Sequence, residues 1–497
     1  MSTTSKSVPP SPPAGYERVA PIPNINNEEL TVIDCVRPLG EPDKLVFLCE
    51  PSAPYRKACV HCGEFNFYAH GTAKDRMVHD CDIGCASVQL QVKVPRYLCN
   101  DCGRSFTYPF ETIIPRHPFT RQLYARIQRD ALNGSFSSIA RKYEVTVPTV
   151  AAILKEYGDE LLSSYHPTAP RVLGIDEKHI VRNQRGVLVD IENRKLIDLL
   201  PDKKRHTIIE AIQGLPYYEC IEVVTMDMNA GYVSLIEEIL PHATIVIDKF
   251  HVIQDLQRKV STTRTAIRNH LLEAVKLIKD DADREYKRDL LTRMGKDSYL
   301  FKYGTSRLPE NPNRIALMAE LCETFPEVNT LRVLKEGLEL IYDAKTRAEA
   351  ETIYNAWQRL VPAKDPLFAD LRTMKGTMQR WHKYIFNYFE PGCNYTNGIT
   401  EALNSVIDFI NAHGRGYGFE ALRIKALFRT ASSECGHSVR RKKVFGSFDS
   451  YSGGSTSMSM MFSRPDKERW MPFEIPVRYG ADIDELLALL RSEDPLF

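Results

Sequence analysis

Three acidic residues stand where short apolar runs end. Val172-Leu-Gly-Ile-Asp176-Glu177 reads as a buried strand closed by a carboxylate, and Ile221-Glu-Val-Val-Thr-Met-Asp227 repeats the arrangement about fifty residues later. If these strands are neighbours in one sheet, both acids emerge at one edge, where divalent cations make the crowding of like charge tolerable. Asn397-Gly-Ile-Thr-Glu401 offers a third acid at the start of a helix, and Leu403, Ile407 and Ile410 on that helix would pack on the sheet and aim Glu401 inward. Three carboxylates holding two Mg2+ or Mn2+ ions, roughly 3.5–4 Å apart, would activate a water or a 3′-hydroxyl and stabilise the departing oxygen, which is in-line phosphoryl transfer. Val246-Ile-Asp248-Lys-Phe-His251 adds a further strand-end acid with a histidine three residues on. Asp248 competes with Asp227 for the middle position, and Asp227 is preferred.

A second chemistry lies upstream. Cys59-Val-His-Cys62-Gly63 and Cys99-Asn-Asp-Cys102-Gly103 are two knuckles of one design, each offering two thiolates to a tetrahedral zinc, with a glycine for the tight turn. They flank short β-type runs such as Ser87 to Val94, so the segment reads as a small zinc-stapled module. Cys81 and Cys85, with His70 and His79 nearby, are spaced more loosely, and ordinary side chains are the leading reading for them.

Between the knuckles and the first acid the pattern is helical. Leu123, Ile127 and Leu132 form one stripe, and Ile139, Tyr143, Val147, Val150 and Leu154 form others. Phe136 to Val150 has the rhythm of a helix-turn-helix, with Ser137 capping a first helix, Thr146 capping a second and Pro148 in its first turn. Thr149 and Lys155 would face a major groove while Arg141 and Lys142 approach phosphates. Arg116, Arg121, Arg126 and Arg129 precede the motif and gather positive charge in a chain whose formal net charge is only +1. An ordinary helical hairpin buried in a larger core remains the alternative.

These elements need several cores. A single core stops growing near about 250–300 residues, and this chain has 497, of which 43% are hydrophobic and 26% charged. The spacing predicts a flexible Pro-rich arm over 1–30, a zinc-binding domain over 31–115 and a helix-turn-helix domain over 116–168. An α/β core follows over 169–251, with a hairpin at Asn193, and resumes over 391–445. A helix-rich, strand-poor stretch over 252–390, broken near Pro309, Pro312, Pro326, Pro362 and Pro366, separates its two parts. The segment 446–497 reads as a Gly/Ser/Met linker and tail, after a basic run at Arg440 to Lys443. No apolar run reaches the roughly 18 residues of a membrane span, so the chain reads as cytoplasmic, without membrane partners.

Taken in order, Cys59 to Cys62, Arg96-Tyr-Leu-Cys99, Gly174-Ile-Asp-Glu177, Met226-Asp-Met228 with Tyr232, Asp248-Lys-Phe-His-Val252 and Asn397-Gly-Ile-Thr-Glu-Ala-Leu-Asn404 resemble the bacterial insertion-sequence transposases of the ISL-three family, within the DDE class. The resemblance spans about Cys59 to Phe428. It implies an RNase H-like catalytic core with Asp176, Asp227 and Glu401 as a Mg2+- or Mn2+-binding triad, a long all-helical insertion before the last acid, and Asp248 and His251 in support. It also implies a structural Zn2+ in the β-rich finger and double-stranded DNA, both element ends and target, as partner. A homo-oligomer on DNA, location at the nucleoid and no small-molecule substrate complete the expectation. One departure is that Ile407-Asp-Phe-Ile-Asn-Ala-His-Gly-Arg415 is less basic than the family's segment there, which moves positive charge towards Arg415, Arg423 and Lys425. A DNA-binding regulator without turnover and a structure-specific nuclease are the alternative functions.

Overall fold

The structure is a computed structural model that describes residues 14–18, 28–115, 117–297, 299–302 and 312–429. Most of the Pro-rich arm, Arg116, Pro309, the basic run at Arg440 to Lys443 and the segment 446–497 lie outside the described residues. The chain divides into two compact units, residues 1–157 and 158–497.

The first unit opens with strands β1 (Tyr16–Arg18), β2 (Leu30–Pro38), β3 (Lys44–Pro51), β4 (Phe67–Thr72), β5 (Arg76–Ile83), β6 (Ala86–Val92), β7 (Pro95–Cys99) and β8 (Ser105–Thr107). They form two sheets rather than one module, a five-stranded sheet β1-β2-β3-β6-β5 and a three-stranded sheet β4-β7-β8 that carries the cysteine knuckles. The larger sheet closes on Phe47, Val78, Leu90 and Ile113, all essentially buried. Helices α1 (Arg121–Asn133), α2 (Phe136–Lys142) and α3 (Val147–Ser164) follow. Leu123, Ile127, Ile139 and Val150 are buried as their spacing predicts, whereas Val147 is exposed at the start of α3. The first cap of the helix pair is also corrected. Ser135, not Ser137, caps α2: its Oγ accepts from the Ser138 amide at 3.2 Å, and Ser137 falls inside the first turn. Thr146 accepts from the Thr149 amide at 3.3 Å, as expected of a cap.

The second unit is built on one five-stranded sheet from β9 (Val172–Ile180), β10 (Asn183–Asp190), β11 (Lys195–Leu199), β12 (Val223–Met226) and β13 (Thr244–Ile247), in the order β11-β10-β9-β12-β13. β9, β10 and β11 form an antiparallel meander, turning at Asn193 as the sequence suggests, while β12 and β13 run parallel to β9. A parallel strand needs a crossover, and α4 (Arg205–Gln213) and α5 (Ala230–Ile239) lie in the connections to β12 and β13. The central strands are covered on both faces, which is why they read as unbroken apolar runs.

From β13 the chain enters α6 (Lys249–Val275), followed by α7 (Asp281–Lys296), α8 (Pro312–Thr324), α9 (Pro326–Ile341), α10 (Arg347–Leu360), α11 (Ala369–Arg380) and α12 (His382–Phe386). The stripe Val252, Leu256, Val260, Thr263, Ile267, Leu271 and Val275 makes α6 the axis on which α7, α9 and α11 pack. Trp357 of α10 is buried and donates its indole N–H to the Leu334 carbonyl at 2.7 Å, joining α10 to α9. Among the described residues no helix is long and apolar enough to cross a membrane.

The chain then returns to the sheet. α13 (Gly398–Gly414) packs on β9, with Thr400, Leu403, Ile407 and Ile410 buried, and α14 (Phe419–Phe428) packs on β11. The close approach of α13 depends on Gly174 in β9. A Cβ there would stand 2.6 Å from Ile191 Cδ1, 2.9 Å from Asn397 Oδ1 and 3.1 Å from Thr400 Oγ1. Gly174→Ala is therefore expected to destabilise the chain by about 1–3 kcal/mol, as overpacking does, measured as a lower denaturant midpoint. An unchanged midpoint would mean that α13 does not need the glycine.

Candidate active site and zinc centre

Strand register aligns the acids. Thr225 of β12 pairs with Gly174 of β9, and Met226 pairs with Ile247 of β13. Counting onward, Asp176, Asp227 and Asp248 occupy one row across three adjacent strands, the last two just beyond their strand ends. Single oxygens of Asp176 and Asp227 and a ring nitrogen of His251 all lie within 4.8 Å of one another. Glu401 stands outside that tight group, on the first turn of α13.

The members of the row differ in what holds them. Asp248 is fully buried, and its carboxylate is consumed by anchoring: it caps α6 by accepting from the Phe250 amide, and accepts also from the Asn397 amide (3.1 Å) and His251 Nδ1 (3.3 Å). Asp227 is partly exposed. His251 Nδ1 approaches its Oδ1 to 2.7 Å as an ion pair. Asp176 is buried and oriented at both oxygens, by the Glu177 amide (2.7 Å) and by Nδ2 of Asn404 (2.6 Å).

Asn397 ties these parts together, a role that sequence reading missed. At the head of α13 its side chain turns into the sheet rather than capping the helix. Its Oδ1 accepts from Thr225 (3.0 Å) and Thr400 (2.8 Å), and its Nδ2 donates to the Ile175 carbonyl (3.3 Å). With its backbone amide on Asp248, one fully buried residue touches β9, β12 and the end of β13 and fixes where Glu401 begins. The signal in the sequence was an asparagine four residues before the acid, which reads equally well as an ordinary helix cap.

The electrostatics are those of crowded acids. Burial, then the charge of Asp227, pushes Asp176 up to about 6. Burial, then the charge of Asp248, pushes Glu401 up to about 7, with Asp176 and Asp227 adding to the effect. Burial opposes charge on His251, but hydrogen bonds and charges from Asp227 and Asp248 outweigh it and lift the imidazolium to about 10. The set is hard oxygen donors with one histidine, which fits divalent Mg2+ or Mn2+.

The cysteines form a separate centre. Cys59 and Cys102 sulfurs are 3.9 Å apart, those of Cys62 and Cys99 are 3.6 Å apart, and all four lie within 4.8 Å of one another. A tetrahedron with Zn–S bonds of about 2.3 Å has edges of about 3.8 Å, so the four thiolates fit zinc. The knuckles are structural duplicates: Gly63 and Gly103, at φ +81° and +65°, donate to the Cys59 and Cys99 carbonyls at 3.0 Å each. Around them lies a small core of Tyr97 and Phe106 with Tyr55, Phe67 and Tyr108 against it. Cys81, Cys85, His70 and His79 do not join a metal-sized group among the described residues.

Of the residues singled out for DNA contact, Arg121, Arg126, Arg129, Arg141 and Lys155 are exposed and Thr149 is half-buried. Lys142 is engaged, 2.6 Å from Asp130. Of the positive charge expected at Arg415, Arg423 and Lys425, Arg415 is exposed, but the other two are corrected. Arg423 is half-buried and paired with Asp198 at 2.8 Å, and Lys425 is buried with its ammonium over the Tyr417 ring, so the charge of each is engaged within the protein. Tyr232 is buried on α5.

The profile of a family described as Transposase, the ISL3 group of DDE transposases, matches residues 173–426, just over half of the chain. The profile described as the zinc-finger of transposase IS204/IS1001/IS1096/IS1165 matches residues 56–102. The transposase for insertion sequence element IS1001 of Bordetella parapertussis is 23% identical over 379 residues, covering 74% of this chain and 88% of that protein. The chain belongs to the ISL3 family of transposases.

Two outcomes are expected. Cys99→Ser, or a strong zinc chelator, should abolish the near-ultraviolet dichroism of the Tyr55, Phe67, Tyr97 and Phe106 cluster while most far-ultraviolet helical signal persists, because zinc supplies folding energy that this small core lacks. Retention of the aromatic signal without zinc would contradict this. Second, Glu401 has a folded pKa near 7, above its ordinary 4.5, so between these values it is protonated only in the folded chain, and above about 7 its charge costs stability. Glu401→Gln should therefore raise the metal-free melting temperature at pH 8, with the difference vanishing as pH falls below about 4.5. A difference independent of pH would refute the crowding argument.

Proposed function

We propose that this chain binds the terminal inverted repeats of an insertion sequence and catalyses metal-dependent cleavage and transfer of DNA strands. The observation that carries the proposal is the convergence of Asp176 and Asp227 from neighbouring strands, and Glu401 from α13, on one sheet edge where their charges repel. Acids so placed serve as cation ligands. Bound Mg2+ or Mn2+ ions would activate the attacking hydroxyl and stabilise the leaving oxygen. Glu401 standing outside the tight group suits a pair of ions, since one acid need not reach both. The full engagement of Asp248 favours Asp227 as the middle ligand, with Asp248 and His251 in support. In the cation-free chain the imidazolium of His251 offsets part of the negative charge, and cation uptake at Asp227 requires that contact to yield.

Sheet order supports an RNase H-like core: an antiparallel meander whose first strand, β9, is continued on its other side by the two parallel strands β12 and β13, with an acid on each side of the β9–β12 junction. We read residues 169–251 and 391–445 as that core, 252–390 as a helical insertion, 31–115 as the zinc-binding domain and 116–168 as the helix-turn-helix domain. In this reading Thr149 and Lys155 on α3 face bases, and Arg121, Arg126, Arg129 and Arg141 meet phosphates. Lys142 has its ammonium on Asp130 and contributes less. Two element ends call for at least two protomers, hence an oligomer on DNA.

The test is incubation of the full chain with labelled element ends and Mg2+, beside Asp176→Asn and Glu401→Gln. Wild type should nick and join ends. Each variant should bind ends as wild type does, with strand cleavage reduced at least about 1,000-fold. Binding without nicking by wild type would favour a regulator, and nicking without joining a nuclease. Equal loss of binding and cleavage in the variants would contradict the division of labour between the units.

A further inference from the structure

Asn404 lies one helical turn beyond Glu401 on α13, so both residues share the face turned to the sheet. Its side chain is nine-tenths buried, and its Nδ2 donates to Asp176 Oδ2 at 2.6 Å. An ionised carboxylate only accepts hydrogen bonds, so chemistry dictates that the amide turns its nitrogen to Asp176 and its oxygen away from it. That Oδ1 is buried and has no hydrogen-bond partner among the described residues. Orphaned buried acceptors are costly and call for an explanation. Asn397 provides the contrast within the same site: every polar group of its amide is matched to protein, as a purely structural asparagine requires.

We propose that Asn404 is a fourth residue of the cation site, fixing the Asp176 carboxylate through Nδ2 and offering Oδ1 as a neutral ligand to the divalent ion. The inference rests on the reading of this site as a cation site. A neutral oxygen suits the position because amide carbonyls are ordinary ligands for hard divalent cations. It completes coordination without adding charge to acids already pushed together.

The experiment is calorimetric titration of the full-length, zinc-loaded chain with Mn2+ at pH 8, with metal-free melting temperatures in parallel. Asn404→Leu removes both amide functions at similar volume. It should weaken Mn2+ binding roughly tenfold or more, while the metal-free melting temperature changes little, because relief of the buried unmatched acceptor is offset by loss of the Nδ2 hydrogen bond to Asp176. Asn404→Asp keeps an oxygen, so it should bind Mn2+ at least as tightly as wild type, from a metal-free state made less stable by repulsion with Asp176. Wild-type affinity in Asn404→Leu, or a tenfold loss in Asn404→Asp, overturns the proposal. Asp176→Asn separates the two levels of inference. If wild type takes up no Mn2+, or Asp176→Asn leaves uptake intact, the cation-site reading falls and this one with it. If Asp176→Asn loses uptake while Asn404→Leu keeps it, only the role of Asn404 falls.

Discussion

Carboxylates repel, and repel more strongly once water is removed from between them. Two unit charges 4 Å apart interact by on the order of 4 kcal/mol at the effective dielectric of a protein surface, and three aspartates of this chain share one row of a sheet with a glutamate nearby. Such a row does not assemble by mutual attraction. It has to be imposed by backbone pairing and apolar packing strong enough to hold the charges in place, and the second unit is organised around that requirement.

The sheet supplies the first part of the answer. β9 and β12 are buried on both faces, so hydrophobic burial and ladder hydrogen bonds fix their register, and the acids ride on that register. The second part is α13, which reaches the sheet only because Gly174 lacks a side chain and Asn397 fits into the space. The third is charge compensation: Asp248 is spent on α6, on the Asn397 amide and on His251, and His251 also meets Asp227. The cost left over appears in the raised pKa values of Asp176 and Glu401. Bound divalent ions would remove most of that cost, so the same crowding that costs stability would make the site receptive to cations.

The zinc centre answers the opposite problem. Its sheet has few apolar side chains of its own, and sulfur ligands clustered at tetrahedral spacing replace the core that a longer segment would bury. Local chemistry settles it almost completely. A glycine at positive φ after each Cys-x-x-Cys turns the chain so that both thiols face one point, and this happens in the same way at Gly63 and at Gly103.

That difference marks how far the sequence alone could go. Two Cys-x-x-Cys-Gly units, apolar runs closed by Asp176, Asp227 and Asp248, the hairpin at Asn193 and the helical periodicity of α6 and α13 are written in nearest-neighbour spacing, because each reflects the local turn, strand or helix geometry of the backbone. Which cap begins α2, the burial of Lys425 and the engagement of Arg423 were not legible, since each depends on a partner distant in sequence or on a choice between adjacent serines. Least legible of all was the site itself. Nothing local states that residue 176 stands beside 227 and 227 beside 248, or that Asn397 reaches three strands at once. Those contacts join segments up to 222 residues apart, and they exist only when long-range strand pairing and the docking of α13 have brought the segments together.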